Sequence, residues 1–145
     1  MEIASLTVRL TDDDAAKLLA RVSPNEMPVR DLRVNLTTEG IIVEGVYPTF
    51  MMAIPFKTVW LLDVIDGKVR GRLTNLDLSG VSAGPLRGII MAFAKDEVAK
   101  IPGLTMEGET ILADVGAALS KEIGTDVKIT PREVRHEAGA VVFVA

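Results

Sequence analysis

The stretch Ala53-Ile-Pro-Phe-Lys-Thr-Val-Trp-Leu-Leu-Asp-Val-Ile-Asp-Gly-Lys-Val-Arg-Gly-Arg-Leu-Thr-Asn-Leu-Asp-Leu78 decides how this chain folds. Its Asp66-Gly67 pair sits between two apolar-rich arms. A two-residue hairpin turn needs central residues that tolerate positive φ, and Asp and Gly supply them. The arms Ala53–Ile65 and Lys68–Leu78 therefore read as antiparallel strands. In the first arm Ile54, Phe56, Trp60, Leu62 and Val64 occupy the even positions, with only Thr58 intervening. The odd positions mix Pro55, Lys57 and Asp63 with Val59, Leu61 and Ile65. Strand side chains alternate between faces, so one face is built for a core or a cavity and the other is half wet. The second arm changes phase, with Val69 and Leu73 odd but Leu76 and Leu78 even. A β-bulge near Thr74-Asn75 restores a single apolar face, and together with Gly71 it predicts a curved sheet.

Upstream, Ile41–Val46 is a further strand, joined through Thr37-Thr38-Glu39-Gly40 to the alternating Leu32, Val34 and Leu36. Nearer the start, Ala4, Leu6, Val8 and Leu10 alternate with Ser5, Thr7 and Arg9 as a first strand. Thr11 is placed to cap a short helix whose opening acids, Asp12, Asp13 and Asp14, favour its N-terminal dipole. The triplet reads as a helix start and not as a metal site, because no second oxygen cluster follows at loop spacing. Pro24 stops this helix, and Ser23–Pro28 reads as a linker.

Downstream, a turn over 80–84 leads into a helix over Pro85–Ile101, with Leu86, Ile89, Ile90, Phe93, Val98 and Ile101 at helical spacing. Between Gly88 and Ala94 no residue is charged, which predicts burial on most sides. The spacing of Leu112, Val115, Leu119 and Ile123 predicts a second helix over Thr110–Ile123, closed by Gly124. Strands over Val127–Val134 and Ala140–Ala145 flank a Glu137-Ala138-Gly139 turn. The expected class is α+β: a strongly curved antiparallel sheet of six or more strands wrapped around a long apolar helix, with additional shorter helices. One domain is expected over residues 1–145.

Hydrophobic residues make up 48% of the chain but aromatics only 4%, so its apolar surface is aliphatic and methionine-rich. The net charge of −4, with no basic cluster, argues against non-specific nucleic-acid binding. The absence of cysteine excludes disulfides, thiolate nucleophiles and cysteine-ligated metals. The chain opens without the basic and apolar regions of an export leader. No stretch reaches the roughly 18 uncharged apolar residues of a membrane span. A soluble, cytoplasmic protein is the expectation.

Catalytic chemistry is hard to assemble from these residues. His136, the only histidine, stands between Arg135 and Glu137 near a turn and reads as a surface residue without a nucleophile partner. There is no P-loop and no G-x-G-x-x-G. Asp63, Asp66 and Asp77 read as solvated strand-end and turn residues, not as paired acids. No enzyme activity, cofactor or metal is expected.

Two features stand out instead. The uncharged run Val46–Phe56 contains Pro48 and Pro55, which a regular sheet interior does not accept. It reads as a strand end and loop in which Tyr47, Phe50, Met51 and Met52 form a lip for a membrane, an apolar ligand or a second copy. Lys68, Arg70 and Arg72 share one strand face, a solvated face that also suits an anionic headgroup.

The order of elements resembles the tubular lipid-binding (TULIP) superfamily, in its small single-domain bacterial form. The resemblance is carried by Leu6-Thr-Val-Arg-Leu-Thr-Asp-Asp-Asp14, Asp31-Leu-Arg-Val-Asn-Leu36, Gly40-Ile-Ile-Val-Glu-Gly45 and the Pro85–Ile101 helix. It implies a coiled sheet around a long helix, enclosing an apolar groove for lipid, and frequent dimers. A START-like helix-grip fold is the structural runner-up. The expected function is non-catalytic binding of a lipid or other apolar ligand between sheet and helix, with Ile54, Phe56, Trp60, Leu62, Ile90, Phe93 and Val98 as lining residues. The alternative is an assembly module that uses the same apolar surface to form a homodimer.

Overall fold

A computed structural model describes residues 1–20, 29–48, 50–78 and 83–145, by backbone alone over 83–86. The chain runs β1 (Glu2–Ile3), β2 (Thr7–Thr11), α1 (Asp12–Ala20), β3 (Arg30–Thr37), β4 (Gly40–Pro48), β5 (Ala53–Ile65) and β6 (Lys68–Leu78). It continues through α2 (Ala83–Ala99), β7 (Leu104–Glu107), β8 (Thr110–Ala113), α3 (Val115–Ile123), β9 (Lys128–Ile129), β10 (Glu133–Glu137) and β11 (Ala140–Val144). The expected linker over 23–28 and the turn over 80–82 lie outside the described residues.

The fold is α+β, organised on a six-stranded antiparallel sheet of order β3-β4-β5-β6-β8-β7. Its central hairpin turns at Asp66 and Gly67, whose φ values of 50° and 73° are those a tight primed turn requires. The register between β5 and β6 slips between Val59 and Trp60: Val59 faces Asn75 and Trp60 faces Leu73, leaving Thr74 as the extra residue. The phase change in the sequence has this bulge as its cause. One face of the sheet then reads continuously across strands. On β5 it carries Ile54, Phe56, Thr58, Trp60 and Leu62, opposite Leu78, Leu76, Leu73 and Gly71 on β6. The other face places Arg33, Glu44, Lys57 and Asp77 side by side across four strands, opposite charges adjacent at each step.

The apolar face has two covers. At one end α2 lies on it, and Ile54, Phe56, Leu76, Leu78 and Ile90 form a buried cluster with Val29. At the other end sits a second sheet of order β10-β11-β2, which joins the last strand of the chain to one of the first. Val141 of that sheet packs with Leu36 and with Ala15 of α1. Thr11 caps α1 reciprocally with Asp14: the Asp14 amide donates to the Thr11 hydroxyl, and the Asp14 carboxylate accepts the Thr11 amide. Asp12 carries this helix start onto the main sheet by accepting the Leu36 amide at 2.7 Å.

Contrary to expectation, the sheet is not strongly curved and does not wrap around a long apolar helix. The helix α2 covers one end of one face and buries a single stripe including Ile90 and Val98, while Ile89 is 48% exposed. An uncharged stretch is compatible with such one-sided burial because alanine and glycine, as at Gly88 and Ala92, tolerate solvent. Thr110–Ile123 is not one helix. Thr110–Ala113 pairs with the free edge of β6, and α3 begins after Asp114, whose side chain accepts the Ala117 amide as an N-cap. Gly124 closes α3 at φ 81°, as expected. Val127–Val134 divides into β9, which pairs in parallel with β1, and β10.

An apolar cavity as the candidate functional site

Between the far half of the apolar face and its second cover lies a cavity of about 660 Å³. Its floor is the main sheet: Ile41 and Val43 of β4, Trp60 and Leu62 of β5, Val69 and Gly71 of β6, and Ile111 and Ala113 of β8. Leu6, Val8, Phe143, Val144 and Ala145 enter from β2, β11 and their flanks. Val115 and Leu119 of α3 close a side with Ile129 and Pro131. All seventeen lining residues among those described are apolar, and the volume lies in the range of small-molecule pockets. Leu6 and Val8 are 38% and 42% exposed, which places them where the cavity opens.

Thr58 marks the border between packed core and cavity. It is the buried polar residue of this face at 4% exposure. Its hydroxyl donates to the Val43 carbonyl at 3.0 Å and accepts the Trp60 indole N–H at 3.0 Å. The indole's only donor is thereby used on the sheet, and the ring offers the cavity an apolar surface. The bulge at Thr74 falls at the same level, and bulges bend a strand and raise its twist. Two glycines show the contrast between the halves. A Cβ at Gly45 would meet Phe56 Cζ at 2.9 Å and Leu32 Cδ2 at 3.0 Å, so neighbouring side chains already fill that space. At Gly71 the nearest atom is the Leu62 Cδ2 methyl at 3.1 Å, and the missing side chain adds to the cavity.

Of the seven expected lining residues, Trp60 and Leu62 line the cavity. Ile54, Phe56 and Ile90 belong to the packed cluster under α2, with Phe93 against it, and Val98 is buried on the same helix. The expected lip divides as well. Tyr47 packs against the α2 cluster, whereas Phe50, Met51 and Met52 are 103%, 88% and 56% exposed. They project where β4 hands over to β5, at the α2 end and away from the cavity. Lys68, Arg70 and Arg72 lie on the face opposite the cavity residues Val69 and Gly71. Arg70 grips Asp63 through two bonds of 2.8 and 2.6 Å, and Arg72 reaches the same carboxylate at 3.3 Å. The Arg70 bond holds the Asp63 carboxyl below its ordinary range. Arg87 does the same for Glu109, tying α2 to the β7–β8 turn.

His136 is not a surface residue. Its ring is partly buried, and Nε2 accepts the Leu62 amide at 2.9 Å. The last pair joining β5 to β4 is Trp60 with Ile41, so Leu62 lies beyond the reach of β4 and its amide needs another acceptor. Nδ1 of the same ring is buried without a hydrogen-bond partner. The signal was present in the sequence, since His136 shares with Val134 the alternate positions of β10 that turn inward.

Among the described residues no group of three or more His, Asp or Glu side chains is placed to hold a metal ion. Also among them, no helix is long and apolar enough to cross a membrane. Comparison with protein-family models, with curated proteins and with solved structures gives no match.

Proposed function

We propose that this protein binds a lipid or other apolar small molecule without chemically changing it, in the cavity between the main sheet, the β10-β11-β2 sheet and α3. The observation that carries the reading is a cavity of about 660 Å³ whose described lining residues are all apolar. Water gains few hydrogen bonds in such a space, and an apolar guest removes the lining from water at about 25 cal/mol per Å². The ligand class is the one implied by the resemblance to tubular lipid-binding proteins, but the seat differs from the sheet–helix groove of that superfamily. Native mass spectrometry of the purified protein tests it: a bound species of lipid mass supports the reading. Bare protein that also fails to take up added fatty acid opposes it.

A second reading, homo-oligomerisation, is favoured by a separate observation. Phe50 and Met51 stand almost wholly in solvent beside Met52, a costly arrangement for an isolated chain. This tip is remote from the cavity, so both readings can hold together.

A further inference from the structure

The apolar cavity shares Ile129 and Ala145 with a smaller hollow of about 370 Å³. The wall of the smaller hollow includes Glu2, Lys128, Thr130 and Arg132. Building on the reading that the cavity holds a ligand, we infer that this ligand is an amphiphile with an anionic head, carboxylate or phosphate. Its tail lies in the cavity and its head against Lys128 and Arg132. The described lining of the first hollow is apolar, whereas the second mixes Ile3, Ala4, Ile129 and Ala145 with four polar or charged residues, which matches a molecule with an apolar tail and a polar head. The smaller hollow has two cationic side chains and one acidic side chain on its wall, in a chain whose net charge is −4.

The state of those cations differs from that of the two arginines that hold carboxylates. Arg70 and Arg87 are committed to Asp63 and Glu109. Among the described residues neither Lys128 nor Arg132 forms an ion pair. The Arg132 guanidinium donates one bond, from Nη2 to the Ala145 backbone oxygen at 3.1 Å, which anchors it at the boundary of the two hollows. A guanidinium has five N–H donors in a fork, so most remain available to an oxyanion. Lys128 adds a second positive charge on the same wall.

Competition against Nile red, a neutral apolar dye, tests this on the full chain. Oleate, oleyl phosphate and oleyl alcohol are compared below their micelle-forming concentrations. Both anions are expected to displace the dye at about fivefold lower concentration than the alcohol, the scale of a solvent-exposed ion pair, and added salt narrows the gap. A preference for one anion over the other identifies the head. Lys128→Gln and Arg132→Gln together should erase the gap and leave alcohol displacement unchanged. Glutamine keeps a side-chain N–H donor without the charge, and Lys128→Gln alone should shrink the gap if the double variant folds poorly. Equal displacement by anions and alcohol, or a gap that survives these substitutions, overturns the inference while leaving the cavity reading intact. Absence of saturable dye binding overturns both.

Discussion

The His136 ring completes the edge of β5 by accepting the Leu62 amide at 2.9 Å, at the point where β4 no longer reaches. This contact fastens the small sheet to the large one beside the cavity floor, since Leu62 lines the cavity. His136→Phe keeps the ring volume but removes the acceptor. It should lower unfolding free energy by about 1–3 kcal/mol, the cost of an unsatisfied buried amide. His136→Gln, with an accepting oxygen, should recover part of the loss. Urea denaturation measures both, and wild-type stability in the Phe variant would show that the contact contributes nothing.

Acid should weaken the fold through the two arginine-held carboxylates. Asp63 and Glu109 titrate below their ordinary values of 3.8 and 4.5, so the folded protein binds fewer protons than the unfolded chain in that range. Their contribution is present above those ordinary values and is lost as pH falls through the depressed ones. Stability is expected to hold from about pH 7 to 5 and to decline below about pH 4.5. Asp63→Asn should be less stable than the parent at pH 7, with the difference narrowing as pH falls below the ordinary value of 3.8. A constant difference across the pH series would contradict the linkage.

Much of the main sheet was legible because its signals are local. Asp66-Gly67 fixes the hairpin, and the switch from Leu73 to Leu76 marks the bulge within a few residues of its position. The site was not legible, because Ile54 and Phe56 look like Trp60 and Leu62 as residue types. What separates the two pairs is their cover: α2 for one, and for the other a sheet joining β2 to β11 from opposite ends of the chain. Period-3.6 matching also merged β8 with α3, although Asp114 offered an N-cap between them.

Volume added under α2 should act on stability and not on binding. Ile90 is buried among Ile54, Phe56 and Leu78, so Ile90→Trp is expected to destabilise by about 1–3 kcal/mol through overpacking. Dye affinity of the folded fraction should stay within about twofold of the parent, since Ile90 is not a cavity residue. A stable variant with lost binding would relocate the site to the groove between the sheet and α2.

The exposed tip separates binding from assembly. Phe50→Asp with Met51→Asp should change stability by less than about 0.5 kcal/mol, because both side chains are open to solvent. Light scattering over a concentration series should show the parent self-associating and the double variant monomeric. A parent that stays monomeric throughout would remove the oligomerisation reading without touching the cavity.

Nile red titration of the parent against Gly71→Leu tests the central claim most directly. The Gly71 position opens into the cavity, and the atom nearest an added Cβ is a Leu62 methyl that can shift. The parent should bind dye saturably with blue-shifted emission. Gly71→Leu should fold at least as stably, since glycine weakens a strand interior, and should lose at least tenfold in dye affinity. Undiminished dye binding in a folded Gly71→Leu variant, or no binding by the parent, would contradict the cavity as the ligand site.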